Sequence, residues 1–229
     1  MLKEIDEMRK NVVFSNRLIE KNSKSYANLY LHRLKKKKIA ERIEKNLYTM
    51  HKDPFLIASR IIWPAYISCW TALKFYNLTE QVPRAIFVII PYYKKPIVFQ
   101  NTKIIFIKTK PEIMFGYQQV EYKGFEIFIA DKEKAIIDSA LFGKISFSEL
   151  QEIIKSNMRQ INIIKFIKYL KIIRNKSLIK RFGFIFDIAG KDHYQELKRN
   201  VDKTYIPLDY TKQKKGRKNK KWRVIENVN

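Results

Sequence analysis

Apolar residues along this chain repeat first at helical intervals, then at the two-residue interval of strands, then at helical intervals again. Leu2, Ile5 and Met8 predict a short helix ending near Arg9. Ser15 is a candidate N-cap for a second helix over 16–21, with Leu18 and Ile19 facing inward. A third helix begins at Ser23 or Lys24, and its Ala27, Leu31 and Leu34 form one apolar stripe. Residues 39–43 and 47–50 then flank Glu44-Lys45-Asn46 and predict a two-stranded hairpin. Asn46 suits its tip, because asparagine tolerates the left-handed backbone better than any residue but glycine.

Asp53-Pro54 marks a boundary: a capping residue followed by proline at the first helical position. Helices are expected over 55–62 and 68–75, the latter closed by Asn77, Leu78 and Thr79. From Ala85 onward the period changes, predicting strands over 85–90, 97–99, 104–108, 120–122 and 125–130. Pro91, Asn101, Pro111 and the Lys123-Gly124 turn punctuate them, and an antiparallel sheet is the expected product. Asp131 caps a helix running to Phe142, whose buried face is Ala135, Ile136, Ala140 and Leu141. Ser146 or Ser148 opens another over 147–155, followed by apolar helices over 161–173 and 177–188 and a more polar one over 192–200. The lysine-rich run before Trp222 is expected as a mobile loop, and 222–225 as an edge strand. No internal repeat is visible. The fold class predicted is therefore α+β. A winged helix-turn-helix over 1–51 precedes a larger α+β domain over 52–229, with an antiparallel sheet, a helical C-terminal half and a basic segment at 211–221.

Charge sharpens this picture. The 229 residues carry 47 Lys and Arg against 22 Asp and Glu, a formal net charge of +25. Self-repulsion on that scale lowers the stability of a compact state, so an anionic partner is the simplest explanation, nucleic acid ahead of a membrane surface. No apolar run approaches the roughly 20 residues that a spanning helix needs. The opening MLKEIDEMRK has no apolar signal core, and the lone Cys69 excludes an intramolecular disulfide or a cysteine-rich zinc site. A cytoplasmic protein is expected. A lysine-rich surface is ordinarily just solvated, so the placement of the charges matters more than their sum.

That placement singles out the third helix. Opposite its apolar stripe lie Ser25, Asn28, His32 and Lys36, flanked by Lys24 and Arg33. A solvated helical face normally mixes in glutamate, yet no acidic residue occurs between Lys21 and Ile39. Such groups reach base edges and phosphates in a major groove. Lys24, Ser25, Asn28, His32 and Arg33 are the groove candidates, with Lys35, Lys36, Arg42 and Lys45 on phosphates. Double-stranded operator DNA is the partner implied, and a palindromic operator would need a homodimer or paired monomers.

Other constellations weigh less. Asp131, Glu133 and Asp138 have the D-x-E spacing of some magnesium sites. A capping aspartate with glutamate in the first helical turn is ordinary helix chemistry, however, and Asp138 suits a buried hydrogen bond. Glu112, Glu121 and Lys123 loosely match the acidic-plus-E-x-K pattern of metal-dependent nucleases, the competing enzyme hypothesis. An RNA-binding protein is a third reading, which fits the lysine-rich tail but leaves the hairpin unexplained. Cys69 sits among Ile67, Trp70 and Leu73 as a small buried hydrophobe. His32, His51 and His193 are too scattered for a metal cluster or a triad, and no glycine-rich phosphate loop occurs. Trp63, Trp70, Phe75 and Tyr76 belong to a core or an interaction surface. Neither a catalytic residue nor a metal or cofactor is expected, and the protein is read as a non-enzyme.

Three segments, in this order, resemble the AbiEi family of transcriptional regulators, the antitoxins of type IV toxin–antitoxin systems. They are the N-terminal unit ending RIEKNLYTM, the stretch DPFLIASRIIWPAYISCWTALKFYNLTEQVP, and the strand-to-helix passage FIADKEKAIIDSALF. The terminal KKWRV is also similar to the family's ending, so the resemblance runs from about Phe14 to Val224. Where the family often has glycine in the wing, this chain has Asn46, and its lysine-rich segment is longer and a candidate for an added nucleic-acid contact. The resemblance implies an N-terminal winged helix that represses its own operon. It also implies a C-terminal domain that antagonises a nucleotidyltransferase-like toxin without forming a tight complex.

Overall fold

The structure, a computed structural model, describes residues 2–18 and 23–228. The fold class is α+β, as expected, and the chain divides into two compact units. The first comprises Met1–Ile67, Pro83–Lys110 and Gln119–Ile129; the second comprises Ser68–Val82, Pro111–Gln118 and Ala130–Asn229.

The first unit opens with α1 (Leu2–Lys10), β1 (Phe14–Ser15), a 3-10 turn (Asn16–Leu18), α2 (Lys24–Lys36), β2 (Glu41–Glu44) and β3 (Leu47–Thr49). Only the 3-10 turn represents the expected second helix; Ile19 and Lys21 lie outside the described residues. The strands pair in the order β1-β3-β2, with Phe14 opposite Tyr48 and Ser15 opposite Leu47. At two residues, β1 is too short to show an alternation, so the hairpin was legible and its third strand was not. Met8, Phe14, Ala27, Tyr30, Leu31, Leu34 and Ala40 form a core of their own, with Leu18, Tyr48 and Met50 packed on it. The expected division near residue 51 is not where the two units part, since the first runs unbroken through Ile67 and holds both this core and the next.

The second core of this unit belongs to α3 (Pro54–Ala58) and a sheet built from β4 (Tyr66–Ile67), β5 (Ala85–Ile90), β6 (Ile97–Phe99), β7 (Thr102–Lys108), β8 (Tyr117–Tyr122) and β9 (Phe125–Ala130). Its order among the described residues is β6-β7-β5-β4-β9-β8. The sheet is mixed. Pairs β6/β7 and β4/β5 are antiparallel, whereas β5/β7 and β4/β9 are parallel. This corrects the antiparallel expectation, and the reason lies in β5, whose AIFVII never alternates. Its positions are buried on both faces, so no alternation marks a solvent side, and it lies between the parallel β7 and the antiparallel β4. The helix expected over 55–62 stops at Ala58, and Pro64 marks only the outer limit, since it disfavours helical backbone at Trp63. Asp53 caps α3 through Phe55 N at 3.0 Å. Burial raises its pKa, but hydrogen bonds from Lys123 and Tyr122 outweigh that and hold the carboxyl below its usual range.

The second unit contains α4 (Cys69–Phe75), α5 (Lys132–Leu141), α6 (Phe147–Ser156), α7 (Ile163–Ile173), α8 (Lys176–Ile188) and α9 (Tyr194–Leu197), then β10 (Ile206–Pro207), β11 (Arg217–Asn219) and β12 (Val224–Glu226). Each long helix starts on a side-chain cap: Asp131 on Lys134 N, Ser146 in a full capping box with Glu149, Asn162 on Lys165 N and Asn175 on Leu178 N. The sheet order is β10-β12-β11, so the segment expected at an edge is central, parallel to β10 and antiparallel to β11. The basic run is correspondingly no plain loop, since Arg217–Asn219 is a strand. Phe147, Phe166, Phe182 and Phe186 interlock at centroid distances of 4.9–5.3 Å to make the aromatic heart of this unit.

Candidate nucleic-acid interface

In the N-terminal core, Ala27, Leu31 and Leu34 turn inward and thereby fix which side of α2 faces solvent. Ser23 caps the helix, its Oγ accepting from Tyr26 N at 3.0 Å. The last turn carries Arg33, Lys35 and Lys36, where cations complement the helix dipole. Lys38 then adopts φ 57°, and Ile39 N donates to Leu34 O at 3.0 Å while Lys38 N donates to Lys35 O at 2.9 Å. This is a Schellman ending with lysine where glycine is usual. A lysine side chain is thereby held at a position that costs backbone strain.

Ser25, Asn28, His32, Arg33, Lys35 and Lys36 are all exposed on α2, as are Arg42 and Lys45 on the hairpin. The side chain of Lys24 lies outside the described residues. Two exposed apolar residues share this surface and were missed in the sequence: Leu29, 50 % exposed, and Tyr26, 46 %. Leu29 follows Ser25 by four positions and precedes His32 by three, so helical spacing alone was the signal that could have found it.

The hairpin tip forms as expected, with Asn46 at φ 60° between Glu44 and its cross-strand partner Leu47. The pairing register shifts between Arg42 and Glu44, and Arg42 Nε donates to Glu44 O at 3.1 Å. Both acids of β2 are engaged from the mixed sheet. Lys94 Nζ donates to the two carboxylate oxygens of Glu44 at 2.6 and 2.8 Å, and Gln100 Nε2 donates to Glu41 Oε2 at 2.6 Å. Lys94 also sits 5.6 Å from the Phe106 ring centroid. Nothing in the local sequence pattern linked Lys94 to a hairpin 50 residues away.

His51 stitches the base of this module: its N–H donates to Thr49 Oγ1 at 3.0 Å, and Nε2 lies 2.9 Å from Arg9 O. Thr49 Oγ1 in turn donates to Val12 O at 2.6 Å. The bonds to Arg9 O and Val12 O tie the end of the hairpin to the C-terminal end of α1 and the residues after it.

Asp131, Glu133 and Asp138, the carboxylates with magnesium-site spacing, are engaged by the protein itself. Asp131 accepts from Lys134 N, from Tyr169 Oη at 2.6 Å and from Lys165 Nζ at 2.9 Å. Burial first, then the bond to Asp131, pushes the Tyr169 hydroxyl up; burial opposes Lys165, but Asp131 prevails and its pKa rises. Glu133 accepts from Asn162 N at 2.8 Å. Asp138 is fully buried, accepting from Ser68 Oγ at 2.8 Å and pairing with Lys134. Among the described residues no three of His, Cys, Asp and Glu gather as metal ligands. In the nuclease-like pattern, Lys123 is committed to Asp53, while Glu121 is exposed on β8. Burial, followed by the charge of Asp138, pushes the Cys69 thiol far up, which suits a structural residue. Trp63 is 65 % exposed and tilted against Phe128, whereas Trp70 is half-buried and donates to Lys144 O at 3.0 Å.

No helix among the described residues is long and apolar enough to cross a membrane. No family model matches the chain, and no curated protein matches it. Among solved structures it is similar to the crystal structure of the RV2827C protein from Mycobacterium tuberculosis, with a TM-score of 0.64 and 10 % identity. The match covers 98 % of this chain and 90 % of that one. Identity so low speaks for architecture alone: the two chains share a fold over nearly their whole length.

Proposed function

We propose that this chain is a sequence-specific DNA-binding repressor, in which residues 1–51 act as a winged helix. In this reading α2 enters the major groove and the β2–β3 hairpin lies against the flanking backbone. The observation that carries it is the exposed, acid-free side of α2, where Ser25, Asn28, His32, Arg33, Lys35 and Lys36 stand together on a buried apolar stripe. The element order helix, strand, turn, helix, hairpin, with β1 completing the hairpin sheet, is the order a winged helix uses. The sequence resemblance to AbiEi regulators supports the same assignment and extends it. The C-terminal part would then act as a type IV antitoxin against a nucleotidyltransferase-like toxin, in the cytoplasm and without a stable complex. Co-expression with a nucleotidyltransferase encoded beside the gene tests that extension: toxicity that this chain does not relieve removes it.

The DNA reading is tested by binding labelled DNA from upstream of the gene across a salt series with Mg²⁺ present. If six cations of the α2–hairpin surface each neutralise a phosphate, they contribute roughly −5 to the slope of log K against log salt, and any further phosphate contacts add to it. Asn28→Ala with Arg33→Ala is expected to cost about 1–3 kcal/mol of preference for the operator while leaving general binding in place. Unaltered preference in that variant would remove α2 from the groove, and Mg²⁺-dependent cleavage lost in Glu121→Gln would replace the repressor with a nuclease.

Lys94 gives a second expectation from the same site. Releasing Glu44 would place an uncompensated carboxylate beside Arg42 and Lys45, opposing the phosphate contacts those residues make. Lys94→Ala is therefore expected to weaken operator binding by about tenfold, or ~1.4 kcal/mol. Adding Glu44→Gln should recover most of that loss in the same titration. A double variant no better than the single one would mean that Lys94 touches the DNA itself.

A further inference from the structure

Between Lys212 and Lys220 the chain carries Lys212, Lys214, Lys215, Arg217, Lys218 and Lys220 with no acidic residue among them, and every one of these cations is exposed. The segment is held at both ends. On its near side Asn227 Nδ2 donates to Asp209 O at 2.7 Å and to Gln213 O at 3.0 Å. On its far side Asn219 Oδ1 accepts from Trp222 N at 2.9 Å, and the Trp222 ring is fully buried with Nε1 donating to Asp187 at 2.9 Å. Within it, Arg217–Asn219 pairs with Val224–Glu226, placing Arg217 opposite Glu226. Lys221 shows the contrast: its ammonium is turned inward onto Asp187 and Asp192 at 2.8 and 3.0 Å. The lysines before it have no such carboxylate partner among the described residues.

Lysine on an exposed strand edge often serves only to block pairing with another sheet. That accounts for Lys218, which lies on β11, and not for Lys212, Lys214 and Lys215, which precede the strand. We infer that residues 212–220 form a second anion-binding element, carried by the second unit, that grips the sugar–phosphate backbone of duplex DNA without reading its sequence. The chemistry narrows the ligand to a backbone. Ammonium groups act as point charges on phosphate, whereas base reading favours planar, bidentate groups. No aromatic residue occurs from Lys212 to Lys221, so the segment offers no stacking platform for unpaired bases. Tyr205, beneath Lys218 at 5.5 Å, is itself covered by Arg223. The choice of DNA over other duplexes rests on the repressor reading above.

The test uses the full chain with Lys212, Lys214, Lys215, Lys218 and Lys220 all changed to Gln. Arg217 is kept because it faces Glu226. These side chains are exposed, so the thermal transition should stay where it is, and that is checked first. Binding is then measured to operator duplex and to a scrambled duplex of equal length, with duplex RNA as competitor. Both affinities are expected to fall together by at least about tenfold at 0.1 M salt, with the log–log slope less steep by up to ~4.5. Wild-type affinity and slope in the glutamine variant would overturn the inference, as would stronger competition by duplex RNA than by DNA. The groove variant Asn28→Ala/Arg33→Ala separates the two proposals. If it keeps operator preference while the lysine variant loses binding, the role given to α2 fails and this element stands. If it loses preference while the lysine variant binds like wild type, the reverse holds.

Discussion

Gly183→Ala is expected to destabilise the second unit by about 3 kcal/mol or more, lowering the thermal midpoint by roughly 10 °C. Gly183 lies inside α8, where alanine would ordinarily gain about 1 kcal/mol in helix propensity. Here a Cβ would stand 2.1 Å from Cζ3 of Trp222, 2.4 Å from Cη2 and 2.5 Å from Cε3. The indole cannot yield cheaply. Its Nε1 is bonded to Asp187 and its ring meets Tyr194 edge-on at 5.1 Å. Moving it would drag β12, the central strand of its sheet. The clash therefore exceeds the propensity gain, and thermal denaturation followed by circular dichroism decides the matter. A midpoint at or above wild type would show that the indole does not press on the helix at Gly183.

Asp138→Ala should be as damaging, for an electrostatic reason. Lys134 and Asp138 face each other one helical turn apart with both side chains wholly out of solvent. Truncating the carboxylate removes the countercharge of a buried ammonium that lies beside the Phe115 ring and takes the acceptor from Ser68 Oγ. Breaking a buried pair from one side costs roughly 3–5 kcal/mol. Replacing both partners with apolar residues of similar volume is often neutral, so Lys134→Met with Asp138→Leu should recover most of the loss. Urea unfolding of the single and double variants measures both. If the double variant is no more stable than Asp138→Ala, the deficit comes from packing and not from stranded charge.

The helices were the legible part of this fold. Asp131, Ser146 and the Asp53-Pro54 pair announced their helices because a cap is a local device, settled within four residues. Asn46 announced the hairpin tip for the same reason. What escaped was what distant segments decide. Tyr66–Ile67 is two residues long, yet it sits between β5 and β9 inside the mixed sheet. No periodicity fits in two positions, and strand direction is set by which segment arrives alongside. The lack of alternation in AIFVII is consistent with burial on both faces, but it does not fix direction, since β5 has one parallel and one antiparallel neighbour. In the candidate site the polar side of α2 was readable from spacing, because three buried positions fix the orientation of the rest. Lys94 and Gln100 were not readable, since their roles arise only when β6 and β2 meet in space. Leu29 was readable and overlooked, an apolar residue in a face selected for being polar.

The two compact units are interleaved along the chain: Ser68–Val82 and Pro111–Gln118 leave the first for the second, and Pro83–Lys110 and Gln119–Ile129 return. A single cut anywhere in the polypeptide therefore leaves at least one unit missing a piece. Gene fusion and shuffling, which join coding segments end to end, could transplant neither unit without carrying pieces of the other. From Ser68 to Ile129, where the units alternate, inheritance of either one therefore entails inheritance of segments belonging to the other.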